Sequence, residues 1–335
     1  MLKPVRRILV IKLRDIGDIV LSTPVLRVLN DNCNAPEITY VLKKEYENFR
    51  HILPHIKRVI TYDKKESFGF LRLILELRKY KFDLAVNLHA SFRSALIALL
   101  SGAKVRLVHN HSGRDWFTSA PLNIKEGPKP NTERDLETLS PLDIKINPLL
   151  KKTKLDVKEE TFSCLDFDGE KTVGFGIGAK RRQKIWPKDR FAELGRNLAA
   201  KGYKIAVMCI EKEKKDAESI AEIIGAPASV YVSNFLTFSY MISRINLFIG
   251  NDSALAHIAA ATGTKSITLF GPENPGEWHP YREKDGHIAV SHLDNLRKEG
   301  VDVMSRKYRE KSMEPIERIT VQEVYEKALL LLAGK

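Results

Sequence analysis

Apolar, β-branched runs recur along the chain at intervals that leave room for a helix between them. In the first half they are RILVIKL, EITYVL, KRVITY, FDLAVNL and AKVRLV; in the second, TVGFGI, YKIAVMCI, LFIGN and SITLF. Between them apolar residues return every three or four positions, as in FLRLILELRKY and FAELGRNLAAKGY, which is the period of an amphipathic helix. Strands that are apolar on both faces and separated by helices indicate parallel sheets covered on both sides. The predicted fold class is therefore α/β, with two doubly wound Rossmann-like domains facing a central cleft. Residues 145–170 lose helical period and gain charge, which places a linker there. The expected domains are 1–155 and 165–318, followed by a C-terminal helix over 319–335 with Thr320 as its N-cap. The stretch GDIVLSTPVLRVLND is expected to carry the first helix.

Length and composition agree with two domains. A chain of 335 residues exceeds one ordinary core, and its 43% hydrophobic and 29% charged residues describe a globular protein. No apolar run approaches the roughly 20 residues that span a bilayer. The opening MLKPVRRILVIKLRDIGD has basic residues and a short apolar run, but charges follow at once without a small-residue cleavage site, so it reads as a first strand. Cys33, Cys164 and Cys209 are odd in number and lack CxxC spacing, which argues against a disulfide framework or zinc site and fits a reducing cytoplasm.

The formal net charge is +13 and unevenly spread: residues 1–150 hold 25 basic against 16 acidic side chains, while the rest hold 30 against 26. Such a surface attracts nucleic acid, anionic headgroups or an acidic substrate, or it is a set of solvated helix faces with no partner. Charge alone does not choose among these.

Candidate chemistry gathers in the loops that follow strands. RDIGD occupies the first strand-to-helix turn, where Gly17 permits a tight turn or a close approach to a ligand. Asp18 either caps the helix or acts as a general base. Asp15 is its competitor, without a glycine beside it, and Arg14 either holds an anionic group or pairs with one of the two aspartates. In the second half, GIGAKRRQKIWP brings Gly178, Lys180, Arg181, Arg182 and Lys184 ahead of Pro187, a helix-starting residue, as in a diphosphate cradle. Its glycines do not form GxGxxG, so a dinucleotide fingerprint is not supported. In LFIGNDSALAHIAAATG, Asn251, Asp252 and Ser253 are all good N-cap residues, and His257, one turn further, is either a ligand contact or a bonded core residue. Gly271 and Pro272 open a turn-rich loop, TLFGPENPGEWHPY, of the kind that borders sites.

Taken in order, ILVIKLRDIGDIVLSTPVLRVL, KIWP, NDSALAH and TLFGP resemble the ADP-heptose:lipopolysaccharide heptosyltransferase family of glycosyltransferases, over about residues 7–280. The resemblance implies a GT-B fold: an N-terminal acceptor domain, a C-terminal nucleotide-sugar domain and a terminal helix packing back toward the first. It implies Asp18 as catalytic base and Lys184 as the contact to the donor diphosphate. Asp252, Ser253 and Ala254 match the helix start that holds donor phosphate and sugar, with His257 one turn on. Glu211 or Glu213 lies where the family places a ribose-binding glutamate, and the region of Ser233 falls near adenine. Gly178, Asn251, Gly271 and Pro272 complete the donor side. Arg14, Gly17, Arg93 and Arg114, with the HNHSGR stretch around His109 and His111, are the acceptor-side candidates. Two departures stand out: Ala254 replaces a commoner glycine, and MCIEKEK follows a strand where many relatives have glycines.

The implied reaction is an inverting transfer of heptose from ADP-heptose to a hydroxyl of the lipopolysaccharide inner core, with no cofactor and no metal. The implied partners are the nucleotide-sugar donor and an anionic lipopolysaccharide-core acceptor at the inner membrane surface, with no nucleic acid and no stable protein partner. The implied location is cytoplasmic, or peripheral on the cytoplasmic face of that membrane. Three other readings remain. Asp166 and Asp168 form an Asp-x-Asp pair that a metal-assisted transferase would use, a sugar-nucleotide epimerase shares the two-domain architecture, and a basic anion or nucleic-acid binder can persist on a dead transferase fold.

Overall fold

The computed structural model describes residues 5–109, 115–124, 127–162, 165 and 167–334. The chain divides into two compact units, 1–156 and 157–335. In the first, β1 (Arg7–Ile11), β2 (Glu37–Lys43), β3 (Ile56–Tyr62), β4 (Leu84–Asn87) and β5 (Val105–Val108) form one sheet of order β3-β2-β1-β4-β5. In the second, β6 (Thr172–Gly176), β7 (Lys204–Cys209), β8 (Ala228–Val232), β9 (Leu247–Asn251), β10 (Ser266–Leu269) and β11 (His287–Val290) form a sheet of order β11-β10-β9-β6-β7-β8. Every pairing is parallel.

All nine apolar runs named from the sequence are strands. The central ones are buried on both faces, as their unbroken apolar character requires: Ile8, Leu9, Val10 and Ile11 are 0% exposed. The sequence pattern misses β8 and β11. Both are edge strands; β8 has no fully buried position and β11 is only four residues, so neither stands out as a long apolar run.

The first helix is two helices, Ile16–Leu21 and Thr23–Asn32. Pro24 has no N–H to give to the Val20 carbonyl, so the helix stops. The Thr23 hydroxyl donates to that carbonyl instead (2.7 Å), and the Ser22 hydroxyl donates to Ile19 O (2.7 Å). The region expected to be a linker is largely packed: Arg27 donates to Lys152 O (2.7 Å), Lys154 N to Thr23 Oγ1 (3.1 Å) and Asp156 N to Ile52 O (2.7 Å). Residues 147–156 thus belong to the first unit.

The C-terminal helix Val321–Ala333 is N-capped by Thr320, which accepts from Glu323 N (3.2 Å). Val321, Val324, Ala328 and Leu331 enter the core of the second unit beside the helix Lys188–Ala199. No helix among the described residues is long and apolar enough to cross a membrane.

In each sheet the chain reverses its direction of winding at one point, between β1 and β4 and between β6 and β9. Ligands of open parallel sheets bind outside the carboxyl ends of the strands at such points. Both clusters of candidate residues lie there.

Candidate active site

The first cluster is built by register. Ile11 of β1 pairs with Val41 of β2 and Asn87 of β4, so Lys12, Lys43 and His89 leave the sheet at one edge. Asp15 is the N-cap of the helix Ile16–Leu21, and Asp18 lies inside its first turn. Asp18 is therefore not the cap. Gly17 sits in helical conformation within the same turn, so of its two readings, a tight turn or a close approach to a ligand, it does not take the first. Asp15 is tied down by Lys43 Nζ (2.8 Å) and Tyr46 Oη (3.4 Å).

Asp18 is half-buried, and its carboxylate makes no hydrogen bond or ion pair among the described residues. Burial pushes its carboxyl above the ordinary aspartate value, Lys12, Arg14 and Lys43 pull it down, and Asp15 adds to the rise. The result is a carboxylate kept available, neither neutralised by a direct partner nor left in bulk water.

Four residues that sequence reasoning did not single out, Lys12, Lys43, His89 and Asp135, belong to this cluster. Lys12 and Asp135 form a buried pair, with Nζ 2.9 and 2.7 Å from the two carboxylate oxygens. His89 is lowered to about 4 by burial and by the cations Arg14, Lys12 and Lys43, so its imidazole is neutral at physiological pH. Lys43, His89, Arg93 and Phe92 border a cavity of about 870 Å³ that also reaches Lys64 and Lys65. A lysine ending an apolar strand was the available signal for Lys12. Nothing local connects it to Asp135, 123 positions later.

Arg93 is exposed, 6.0 Å from the Tyr62 ring centre, and Arg14 is exposed. His109 is buried at 5% exposure rather than displayed on a basic loop. Arg114, His111 and Asp166 lie outside the described residues. Asp168, the other half of the Asp-x-Asp pair, is exposed and bonded to Lys204 Nζ (2.6 Å). No group of three His, Cys, Asp or Glu side chains suited to a metal comes together among the described residues.

The second cluster assembles the loops after β6, β7 and β9, whose strands run in register through Gly176, Met208 and Gly250. Trp186 of KIWP is 0% exposed; its indole N–H donates to Ile319 O (2.9 Å) and its ring meets Phe191 edge-on. That anchor fixes the chain just past Lys184, whose Nζ lies 2.5 Å from Asp252 Oδ2. Asn251 joins the same loops: its side-chain oxygen accepts from Trp186 N (3.0 Å) and its amide donates to Ile177 O (2.7 Å). Asn251 thus shapes the site through the backbone.

Ser253 is the N-cap of the helix Ala254–Thr262, yet its hydroxyl does not cap it. His257 is 5% exposed, with Nδ1 3.0 Å from Tyr281 Oη, and burial and Lys184 depress it to about 3. It is a neutral imidazole held by a tyrosine.

Gly178 faces the Glu213 carboxylate so closely that a Cβ would collide with it. Glu213 Oε2 accepts from Ile210 N (3.2 Å), whereas Glu211 is exposed. Gly271 abuts the backbone of Gln183 and Lys184, so only glycine lets that loop pass the KIWP turn. Pro272 is buried next to it, and Glu273 pairs with Arg181 and with Arg309 (2.8 Å). Arg181 is therefore engaged by protein. Ser233 follows β8, with its N–H donated to Cys209 O (3.3 Å).

Two parallel sheets, each with a charged cluster at its reversal point, define an α/β protein of paired Rossmann-like domains. The family model of glycosyltransferase family 9 (heptosyltransferase) matches residues 70–307. The chain belongs to that family and is a glycosyltransferase.

Lipopolysaccharide heptosyltransferase 3 of Escherichia coli is 28% identical over 286 residues, covering 79% of this chain and 83% of its own. The solved structure of the E. coli ADP-heptose lipopolysaccharide heptosyltransferase II matches with a TM-score of 0.79 at 22% identity, over 98% of each chain. E. coli heptosyltransferase WaaC with ADP-2-deoxy-2-fluoro heptose matches with a TM-score of 0.75 at 16% identity, over 97% of this chain and 99% of that one. At these identities the two structures establish the fold, which is the two-domain architecture read from the sequence.

Proposed function

We propose that this chain transfers a heptose from ADP-heptose to a hydroxyl of the lipopolysaccharide inner core, with inversion and without a metal ion, using Asp18 as general base. The observation that carries the reading is the state of Asp18: a half-buried carboxylate with raised pKa, unpaired among the described residues and ringed by Lys12, Arg14 and Lys43. A base so placed takes the proton of an acceptor hydroxyl as that oxygen attacks the anomeric carbon. The anomeric C–O bond to the diphosphate breaks in the same displacement, which inverts the carbon. Negative charge then grows on ADP, and Lys184, held by Asp252 and by the Trp186 anchor, offsets it. His257, neutral and bonded to Tyr281, serves as a hydrogen-bonding group rather than a charged one.

Glu213, seated against Gly178, supports a contact to the ribose hydroxyls in preference to Glu211. The lysines and Arg93 around the 870 Å³ cavity support an acceptor bearing carboxylates or phosphates. Such an acceptor sits in a lipid surface, so the protein acts peripherally there.

The test is a mass-spectrometric assay of ADP-heptose and candidate UDP-sugars against truncated core acceptors, with and without EDTA. One heptose mass added from ADP-heptose alone, unaffected by EDTA, is the expected result. Transfer from a UDP-sugar, loss of activity in EDTA, or conversion of the donor without acceptor contradicts the reading.

A further inference from the structure

The helix Gly69–Lys79 has two apolar faces. One, through Leu73, Ile74 and Leu77, enters the core of the first unit. The other is displayed: Phe68 is 78% exposed, Leu71 54% and Leu75 57%. Leu71 and Leu75, at i and i+4, share the outer side of the helix, and Phe68, its N-cap residue, is displayed at its start. Phe68 holds a left-handed φ of 63°, a region bulky side chains rarely occupy, while its ring stands in solvent.

Charge says what the displayed face meets. Arg78 and Lys79 on the helix, and Lys64 and Lys65 just before it, are exposed and have no ion-pair partner among the described residues. Arg72 is paired with Glu66 and Glu76 is the remaining acid on the outer face, so the surroundings of the apolar residues stay basic. A second apolar group lies nearby, since this helix touches the helix Phe92–Leu100. Phe92 (55% exposed) and Trp116 (63%) are bridged by the buried ring of Phe117, at 5.7 and 3.7 Å between centres. Phe92, Lys64 and Lys65 also border the cavity beside Lys43 and His89, so the displayed surface is continuous with the mouth of that cavity.

We infer that this face of the first unit docks on an anionic lipid bilayer, with Phe68, Leu71 and Leu75 entering the headgroup boundary and the surrounding lysines and arginines meeting lipid phosphates. An apolar face in a basic, largely unpaired rim is the pattern of an interfacial helix. A second copy of the chain would bring two like-charged rims together, which opposes self-association through this face. The inference rests on the proposed function only for its purpose, presenting the cavity to an acceptor embedded in lipid; the docking itself does not depend on it.

The experiment is co-sedimentation of the full chain with vesicles of phosphatidylethanolamine and phosphatidylglycerol, against phosphatidylcholine alone, at low and high salt. The triple variant Phe68→Ser, Leu71→Ser, Leu75→Ser is run beside it, with Phe68→Ser alone as the variant that retains the fold if the triple does not. The parent is expected to bind the anionic vesicles in a salt-sensitive manner. The triple is expected to bind at least about tenfold more weakly, and the single variant measurably more weakly, with turnover of a soluble truncated acceptor unchanged. Equal binding by parent and variants, equal binding to phosphatidylcholine, or a parent dimer that the variants dissolve overturns the inference. Failure of vesicle binding while the soluble acceptor is still turned over rejects docking alone, and intact vesicle binding with no heptose transfer rejects the function alone.

Discussion

Lys184 Nζ and Asp252 Oδ2 stand 2.5 Å apart, with side chains 17% and 3% exposed, and so tie the loop after β6 to the loop after β9. Removing the lysine has two separable effects. A nearly buried carboxylate left without its cation costs about 3–5 kcal/mol of stability. Loss of a charge aimed at a leaving diphosphate slows turnover by about 10²–10³. Lys184→Ala is therefore expected to lower both the unfolding temperature and kcat. Lys184→Ala with Asp252→Asn is expected to recover stability without recovering kcat, as read by thermal unfolding beside steady-state kinetics.

The raised pKa of Asp18 fixes the acid limb of the pH profile. The working form is the carboxylate, so activity falls as pH drops through a pKa displaced above the ordinary aspartate value by burial. Lys12 pulls that pKa down. Lys12→Met, which removes that cation, is expected to move the limb to higher pH. A limb that stays in place would mean another group titrates.

How far the site was readable in advance differs between the two clusters. The strand cores and the loops after β1, β6 and β9 were visible because buried parallel strands are apolar throughout and their loops carry glycines, acids and lysines in short windows. KIWP and NDSALAH are such windows. The partners that give those residues their properties were not visible. Asp135 reaches Lys12 across 123 positions, Tyr281 reaches His257 across 24, and Glu273 holds Arg181, and each contact exists only once the sheet has formed. The role of Asp18 likewise could not be separated from that of a cap until Asp15 was seen to occupy the N-cap.

His257 supplies a prediction about stability. Burial and Lys184 hold its pKa at about 3, below that of an unfolded histidine, so between about pH 6.5 and 3 the unfolded chain binds the extra proton. Its contribution is complete above that window and is lost as pH falls through it. His257→Gln is expected to flatten the decline in unfolding temperature between pH 6.5 and 4.5, measured by scanning calorimetry. No kinetic limb near pH 6–7 should disappear with it.

The Lys12–Asp135 pair gives a further stability test. Both side chains are 6% exposed and doubly bonded to each other. Asp135→Ala alone leaves a buried ammonium and is expected to cost about 3–5 kcal/mol in urea unfolding, while Lys12→Met, Asp135→Leu costs far less.

The central claim is that one side chain, Asp18, removes the proton from the acceptor. Asp18→Asn keeps the size of the residue and takes away the base. The direct measurement is turnover of ADP-heptose by this variant beside its donor affinity by calorimetry. Turnover reduced by at least about 10²–10³ with donor affinity unchanged is the predicted result. Appreciable turnover in Asp18→Asn would contradict it.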